Sequence, residues 1–549
     1  MAGELCPAGT AARRSAEVAG QIVGRMNFTP AQETQSETTG HMPGGFARTF
    51  NRFFTRHVMS LAVMVVVPLL FAATLNSNLG LMEDPDIWWH LANARILSTT
   101  HQMIHTDPYS FTVAGHPWIN WEWLSEQPFW FSYGHFGLQG IFFLTWLLLC
   151  GNVVFVYWRG YWRCRHAGAA LAAAMVGFVL MTVNSGPRTI MFAYLAMSAE
   201  LAILEAADRG RSRLLWLLPP LFCLWINLHG TWLIGILLLA LYIACGMFSL
   251  RLGVFEQAAF SASERNRLLA VLGASTLALL LNPYGLRLLW NPFDMMLHQK
   301  LSVETIAEWL PLNLAKFDGK AVFAAIALMV VANCIRGRKW KVFELAIVFL
   351  AWYATIAHIR FAFLAAVLTT PLLAMDIERA FCTETDGKTI PAMNAAMMAA
   401  ALCFFVITFP SEAKLRSKLA LRFPIQTIET IQPGWRTFNW DYVGGMMAWK
   451  SKPSFIDSRF DSFDQVGVMA EYGSIMEGHN AFALMDKYRV DHALVKDYLP
   501  ITNLLKQSQA WCEVRRESSY EGDYILFAKA PRGPGSAFSG CLAPGAPGQ

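Results

Sequence analysis

The sequence is poor in charged residues. Asp, Glu, Lys and Arg make up only 15% of its 549 residues, whereas soluble globular domains average about 25%. Hydrophobic residues make up 55% of the chain, and the mean hydropathy is +0.35. This composition excludes an ordinary soluble protein and indicates a polytopic α-helical membrane protein.

Cysteine-based and nucleotide-binding motifs are also missing. The ten cysteines are scattered, most of them within apolar runs, and none shows CxxC or Cys/His metal spacing. This pattern excludes a zinc site or a disulfide framework of the usual kinds. Only Cys512 and Cys541 are candidates for pairing, if their compartment is oxidising. The sequence contains no P-loop, GxGxxG fingerprint, heptad or internal repeat.

We interpret the positive net charge as a signal for the orientation of the protein in the membrane. We do not expect a nucleic-acid partner. The formal charge is +5, and membrane proteins concentrate Lys and Arg in their cytoplasmic loops. Residues 1–57 are basic and extend far beyond the basic region of a signal peptide. We predict that they form a cytoplasmic, partly disordered tail.

Eleven apolar runs approach the length of about 17–25 residues that a helix needs to cross a membrane. They predict a transmembrane domain over 58–409. The runs are 58–78, 136–157, 167–185, 189–207, 214–228, 231–250, 268–284, 319–335, 342–358, 361–376 and 391–409.

Basic residues cluster in alternate connections between these runs, as orientation by positive charge requires. The long connection 79–135, on the other side, has Arg95 as its only Lys or Arg. This distribution predicts a cytoplasmic N-terminus. It places loop 79–135 and the region from about 410 onward outside the cytoplasm.

Charged and turn residues return after 410. They predict an extracytoplasmic α/β domain at 410–530, followed by a flexible tail at 531–549. The elements predicted in this domain are short buried strands at 453–459 and 491–497, a helix at 481–490, and a hairpin at 511–529 with its turn near Glu521-Gly522.

Loop 79–135 carries the densest set of chemically active side chains. Asp84 and Asp86 directly follow the first apolar run. The segments "IWWHLANARIL" (87–97) and "WINWEWLSEQPFWFSYGHF" (118–136) are typical of helices that lie at a membrane interface. Two such helices would hold the aspartates at the outer membrane surface. Alternatively, Asp86 is the N-cap of the helix that follows it.

A carboxylate at this surface suits sugar transfer from a lipid-linked phosphate. Asp84 or Asp86 can act as general base toward the acceptor. Alternatively, the pair can bind a divalent cation, Mg²⁺ or Mn²⁺, that offsets the charge of the phosphate. Arg188, Arg287 and Arg360, at predicted outer helix ends, are candidates for binding the phosphate itself. Snorkelling or a structural ion pair is the alternative for each arginine.

Other polar residues interrupt apolar segments at the same predicted level. Ionisable groups at membrane depth are costly unless they face a cavity. His229 can equally be a hydrogen-bonded turn histidine. The candidates for binding substrate are His90, Glu122, Asn227, His229 and Glu308.

The segments "EDPDIWWHLANARIL", "DPYSFTVAGHPWINWEWLSE", "LWINLHGTWLIG" and "LNPYG" resemble a bacterial group within the GT-C superfamily of membrane glycosyltransferases. This superfamily includes the oligosaccharyltransferase catalytic subunit, protein O-mannosyltransferases and lipid A aminoarabinose transferases. The resemblance spans most of residues 58–530 and implies a GT-C-like bundle in a bacterial inner membrane, with a periplasmic C-terminal domain. It also implies a polyprenyl-phosphate-linked sugar as donor, with Asp84 or Asp86 as the catalytic or metal-binding acid.

Two shorter motifs resemble oligosaccharyltransferases in particular. "DPDIWWHL" is similar to the Asp-Pro-x-aromatic-His motif of the archaeal enzymes. "FNWDYVGGMMAW" (438–449) resembles their Trp-Trp-Asp-Tyr-Gly motif, which implies acceptor binding by Trp440, Asp441 and Tyr442. Asn439 replaces the first tryptophan and Val443 interrupts the motif, so the alternative is a helix entry packed by Trp440 and Tyr442.

These observations predict an inverting glycosyltransferase acting on an acceptor of unknown class. One alternative is a transporter or flippase of a lipid-linked precursor, although the paired half-repeats with broken helices that are typical of transporters are missing. A catalytically inactive GT-C-like scaffold is a third possibility, because a fold does not fix a function.

Overall fold

The computed structural model describes residues 56–70, 84–183, 185–298, 301, 309–382 and 390–530. Nearly all of the predicted N-terminal tail, the predicted tail at 531–549 and the candidate Glu308 lie outside the described residues. Cys512 is disulfide-bonded, whereas its predicted partner Cys541 is outside them.

The described part of the chain is mostly helical. Its N-terminal three quarters contain the helices Arg56–Leu70, Asp86–Thr100, Trp123–Cys164, Ala167–Thr182, Ile190–Asp208, Leu218–Leu228, Trp232–Cys245, Ala262–Ala278, Leu286–His298, Phe317–Arg336, Val342–Ala357 and Ala362–Phe381, with 3-10 turns at Ser212–Leu217 and Ile359–Phe361. The remaining helices are Pro391–Thr408, Glu412–Arg422, Ile425–Thr430, Asp441–Trp449, Phe460–Asp464, Val468–Met476, Ala481–Lys487 and Pro500–Gln507.

Five of the described helices are long and apolar enough to cross a membrane, which supports the prediction of a membrane protein. Shorter apolar helices such as Trp232–Cys245, with 14 residues, reach only about 21 Å at 1.5 Å per residue. The count of eleven spans therefore stays a prediction. The five long helices are Trp123–Cys164, Ile190–Asp208, Phe317–Arg336, Ile359–Phe381 and Pro391–Thr408.

The helix Ala362–Phe381 is the centre of the bundle. In the apolar window of this span, 83% of the residues are buried, against 11% for Pro391–Thr408. Small residues allow its neighbours to approach. A Cβ added to Gly160 would lie 3.1 Å from Ala374 Cβ, and one added to Gly177 would lie 2.4 Å from Thr370 Oγ1. Close packing of this kind is how helices associate when both are apolar.

The helix Trp123–Cys164 joins the predicted interfacial segment to the predicted span. It is bent at Gly137, whose φ of 59° and ψ of −144° are not helical. This conformation is open to glycine and strained for other residues. The bend therefore separates a first part, which carries loop residues, from the apolar second part.

The C-terminal region contains a four-stranded sheet. Strands β3 (Thr437–Asn439), β4 (His492–Lys496), β5 (Trp511–Glu517) and β6 (Tyr524–Lys529) lie in the order β3-β4-β6-β5. β3 is parallel to β4, whereas β4 and β5 are each antiparallel to β6. Strands β1 (Leu250–Leu252) and β2 (Phe255–Gln257) form a separate hairpin.

The secondary-structure elements predicted in this region are confirmed except at one segment, whereas its position outside the cytoplasm stays a prediction. The 491–497 strand, the 481–490 helix and the 511–529 hairpin are present, and Gly522 has a φ of 89° in the turn. The strand predicted at 453–459 is wrong: Ser454 forms only an isolated bridge to Ser110. The segment is apolar because it lies between loop 79–135 and the sheet, where Phe455 and Ile456 are fully buried, and not because it belongs to a ladder.

Candidate functional site

Asp84 sits at the start of the helix Asp86–Thr100. Pro85 occupies the N-cap position, and Asp84 Oδ1 accepts the backbone N–H of Asp86 at 2.9 Å. The carboxylate that caps this helix is thus Asp84, and the interpretation of Asp86 as the N-cap is wrong. Proline at the N-cap has no side-chain oxygen to accept the unpaired N–H groups of the first turn, so the preceding aspartate provides one.

Asp84 also forms a partly buried ion pair with a residue from a distant segment. Arg188 Nε donates to Asp84 Oδ2. Arg188 lies in the turn that precedes the helix Ile190–Asp208. A Cβ added to Gly186 would be 3.3 Å from Asp84 Oδ2, so the small residue in this turn leaves room for the carboxylate. The pair joins loop 79–135 to the end of a candidate membrane span.

Asp86 differs from Asp84 in its electrostatic surroundings. Burial, followed by the negative charge of Asp84, raises the pKa of Asp86 to about 7, against the opposing charge of Arg188. Trp89 Nε1 lies 3.3 Å from Asp86 Oδ1 and 3.2 Å from Ser458 Oγ. Two neighbouring carboxylates with one arginine between them favour one charged and one protonatable group.

The C-terminal region covers this pair of aspartates. The helix Asp441–Trp449 packs against the helix Asp86–Thr100, and a Cβ added to Gly445 would lie 2.4 Å from the carbonyl oxygen of Pro85. A Cβ at Gly444 would lie 2.2 Å from the carbonyl oxygen of Ile456. The glycine pair therefore allows the backbones to meet. As a result the residues Ile87–Ala94 are all buried, and the helix is enclosed by protein instead of lying with one face on a membrane surface.

Three buried residues and the partly buried His229 form a chain of polar contacts near Asp86. His90 Nδ1 lies 2.9 Å from Glu126 Oε1, and His90 Nε2 lies 3.4 Å from Glu122 Oε2. Glu122 Oε1 lies 3.0 Å from His229 Nε2. Of these residues, His90, Glu122 and His229 were predicted as site residues. Glu126 was not, because its position four residues after Glu122 in a tryptophan-rich segment carries no distinguishing pattern.

The hydrogen bonds among these four residues and their neighbours indicate which nitrogen of His229 carries the proton. The backbone N–H of Thr231 donates to His229 Nδ1 at 3.1 Å, so the Nε2–H of His229 points at Glu122. Both nitrogens of His90 face carboxyl groups, Nδ1 that of Glu126 and Nε2 that of Glu122. Burial alone would lower the pKa of His90, but the hydrogen bond to Glu126 and the charges of the two glutamates raise it. Burial would raise the pKa of Glu122, but His229 and then His90 lower it.

The other predicted site residues lie in separate surroundings. Asn227 accepts the indole N–H of Trp123 at 3.0 Å and donates to Leu281 O at 2.9 Å. Arg287 is exposed, and the guanidinium of Arg360 lies 4.1 Å from the ring centroid of Trp309. Among the described residues, Arg188 is therefore the arginine that the structure joins to the aspartates.

Trp440, Asp441 and Tyr442 stand at the entry of the helix Asp441–Trp449. The rings of Trp440 and Tyr442 stack with centroids 5.1 Å apart, and Tyr442 OH accepts from Arg422 Nε at 3.1 Å. Asp441 Oδ1 accepts from Tyr472 OH at 2.7 Å. These contacts are those of a packed helix entry, and acceptor binding by the three residues stays a prediction.

A buried ion triad next to the aspartates was missed by the sequence analysis. Arg459 Nη2 lies 2.5 Å from Asp107 Oδ1 and 2.6 Å from Asp457 Oδ2. Burial, against the charge of Arg459, raises the pKa of nearby Asp461 to about 7. Asp107 belongs to loop 79–135, whereas Asp457 and Arg459 belong to the segment predicted as a strand. The only sequence signal was the alternation of charges in "DSRFD".

The described residues contain no group of three or more His, Cys, Asp or Glu side chains that could hold a metal ion. Asp84 and Asp86 are two carboxylates, and both oxygens of Asp84 are already hydrogen-bonded. This donor set is incomplete for a dedicated cation site. Cation binding by Asp84 and Asp86 stays a prediction.

No family model matches the chain, and no curated protein is significantly similar to it in sequence. Among solved structures, it is similar to the oligosaccharyltransferase of Archaeoglobus fulgidus. The apo form has a TM-score of 0.49 at 12% identity, over 79% of this chain and 70% of that chain. The complex of AglB with an inhibitory peptide and a dolichol-phosphate has a TM-score of 0.47 at 13% identity, over 79% and 69%. Likeness at this level assigns neither a substrate nor a residue role.

Proposed function

We propose that this chain is a GT-C-type membrane glycosyltransferase that moves a sugar from a polyprenyl-phosphate-linked donor to an acceptor on the outer face of the membrane. The observation that carries the proposal is Asp86, a buried carboxyl with its pKa raised to about 7, beside the partly buried Asp84–Arg188 pair. Perturbed carboxylates with a specific charged partner are typical of catalytic sites.

Asp86 is the general base in this proposal. A base works best when its pKa is near the operating pH, because about half of it is then unprotonated and it still holds a transferred proton. Asp84 cannot take this role easily, since its two oxygens are engaged by Arg188 and by the N–H of Asp86. Asp84 instead positions Arg188 and raises the pKa of its neighbour.

The transfer is a single displacement at the anomeric carbon. An O–H or N–H group of the acceptor attacks this carbon as the bond from carbon to the phosphate oxygen breaks. The electron pair leaves with the phosphate, the acceptor's proton passes to Asp86, and the configuration of the sugar is inverted. Arg188 offsets the charge that develops on the leaving phosphate, for which guanidinium geometry is well suited.

The chain of polar contacts formed by His90, Glu122, Glu126 and His229 positions the site from behind. Glu122 accepts a hydrogen bond from Thr189, the residue next to Arg188, and His90 lies one helical turn after Asp86. His90, Glu122 and Glu126 are enclosed rather than open to a substrate, whereas the side chain of His229 is 16% exposed. We assign them the support of Asp86 and Arg188, and we assign the acceptor to the side of the C-terminal region that carries Ser458.

The test uses the full chain, reconstituted and supplied with a mixture of polyprenyl-phosphate and polyprenyl-diphosphate sugars. Release of the free lipid phosphate is followed by mass spectrometry, with and without Mg²⁺ or Mn²⁺. Asp86→Asn should reduce release by at least 10²-fold, whereas Asp318→Asn, at the start of the helix Phe317–Arg336, should not change it. Wild-type release that persists in Asp86→Asn would refute the base assignment, and loss of release in EDTA would show that a cation is required.

One observation favours a second function, transport of a lipid-linked precursor. Glu200 is fully buried within the helix Ile190–Asp208, and within the described residues neither of its carboxylate oxygens has a hydrogen-bond partner. Unpaired carboxyls in membrane-crossing helices often carry protons in transporters. Uptake of a labelled lipid-linked sugar that depends on a pH gradient, and is lost in Glu200→Gln but kept in Asp86→Asn, would favour this alternative.

A further inference from the structure

Trp162 lies near the C-terminal end of the helix Trp123–Cys164 and is surrounded by three arginines. The guanidinium carbons of Arg165, Arg209 and Arg211 lie 4.8, 5.6 and 5.7 Å from the centroid of its ring. We call these three residues the Trp162 arginine cluster. Arg209 also donates to the backbone oxygen of Trp162 at 3.3 Å.

The backbone brings these arginines together from two separate connections. Arg165 is the residue after the helix and has a φ of 60°, a conformation that few residues other than glycine adopt. Arg209 follows the helix Ile190–Asp208, and Arg211 precedes the 3-10 turn Ser212–Leu217. The three arginines thus meet because the ends of two helices lie close together. They are not neighbours along a single helix.

Among the described residues, the cluster forms no ion pair, unlike the cations near it. Arg159 and Arg163 are paired with Glu205, and Lys341 is paired with Asp208. Within the described part of the chain, no carboxylate oxygen lies within 4.0 Å of a guanidinium nitrogen of the cluster. Burial, together with the charges of Arg163 and Arg165, lowers the pKa of Arg209 against the opposing charges of Glu205 and Asp208. The three positive charges around the ring of Trp162 therefore form a candidate binding site for an anion.

We propose that the Trp162 arginine cluster binds the phosphate headgroup of an anionic lipid. Guanidinium groups match phosphate oxygens with paired hydrogen bonds, and basic groups at helix ends are recurrent sites for lipid headgroups. A tryptophan at such a level belongs to the aromatic belt of a membrane interface. Trp158, one turn earlier, lies 5.5 Å from Trp162 and extends this aromatic surface toward the apolar part of the helix.

An apolar surface next to the cluster favours a lipid over a free phosphate ion. Trp216 and Leu217, in the 3-10 turn that follows Arg211, are both 52% exposed. Large exposed apolar side chains beside unpaired arginines suit a ligand that has both an acyl chain and a charged headgroup. This proposal does not depend on the glycosyltransferase assignment, because the cluster shares no residue with the site around Asp86.

The test compares the full chain in nanodiscs of phosphatidylcholine alone and with added phosphatidylglycerol. Retained phosphatidylglycerol is counted by native mass spectrometry, and the thermal midpoint is measured in parallel. We expect the triple variant Arg165→Gln/Arg209→Gln/Arg211→Gln to bind the anionic lipid roughly a hundredfold more weakly, at about fivefold per arginine. It should also lose the thermal stabilisation that phosphatidylglycerol gives the wild type.

A control variant with the same change in net charge distinguishes lipid binding at the cluster from nonspecific attraction of anionic lipid to the protein. Arg251→Gln/Arg265→Gln/Arg336→Gln removes three arginines that do not contact Trp162, and it should bind the lipid nearly as the wild type does. Equal losses in the two triple variants would overturn the proposal. Inorganic phosphate added to phosphatidylcholine nanodiscs tests the other source of the ligand: stabilisation of the wild type by phosphate alone, absent in the cluster variant, would assign the site to the free ion.

Discussion

The buried triad of Arg459, Asp107 and Asp457 makes a quantitative prediction about how the C-terminal region is held. Arg459 donates to Asp457 at 2.9 and 2.6 Å and to Asp107 at 2.5 Å. The side chains of all three residues are at most 1% exposed. Replacing Arg459 by methionine removes these bonds while keeping most of the side-chain volume, and it leaves two carboxylates buried without a counter-charge.

The expected loss of folding free energy is large, because removing one partner leaves the other charges buried without a counter-charge, whereas removing every partner leaves no buried charge. Removing one partner of such a pair costs about 3–5 kcal/mol. We expect Arg459→Met to lower the free energy of unfolding by about this amount, measured by titrating detergent-solubilised protein with sodium dodecyl sulfate. The surface arginine Arg516, paired with Glu513 at 2.8 Å and 25% exposed, is the matched control, and Arg516→Met should cost at most about 1 kcal/mol.

A compensated variant makes the reasoning refutable. Asp107→Asn/Asp457→Asn/Arg459→Met removes all three charges and should recover most of the stability that Arg459→Met loses. If Arg459→Met costs no more than Arg516→Met, the triad does not hold the region in place. If the triple variant is less stable than the single one, hydrogen bonding within the triad matters more than its uncompensated charge.

Three further predictions concern stability alone. Gly445→Ala should cost about 1–3 kcal/mol because its Cβ would lie 2.4 Å from a backbone oxygen, whereas Gly473→Ala, with open space around it, should be neutral or stabilising in the same unfolding assay. Gly137→Ala should cost about 1–2 kcal/mol, because φ is 59° at the bend, and an unchanged thermal midpoint would argue against that bend. The pKa of Asp461 is raised to about 7, so its contribution to the free energy of unfolding is full below about pH 4 and is lost as the pH rises to 7. Asp461→Asn should therefore reduce the fall of the free energy of unfolding between these pH values. An unaltered slope would contradict the prediction.

The sequence by itself indicated a membrane protein and singled out the segment of the candidate site. Low charge and long apolar runs indicated helices at each predicted span, since hydropathy reports the cost of leaving backbone and side chains in lipid. The position of Asp84 and Asp86 after the first run singled out the segment that the structure surrounds with polar partners. The hairpin at 511–529 followed from its turn residues, because turn chemistry is local.

Contacts between distant segments were decided only by the tertiary structure. Asp84 and Asp86 are two residues apart and alike in sequence, yet Arg188, about a hundred residues later, pairs with Asp84 and makes the two carboxyls different. The segment 453–459 has the composition of a strand, but its burial comes from packing between two regions. Local propensity describes what a segment can form, whereas pairing of charges and burial depend on which distant segment meets it.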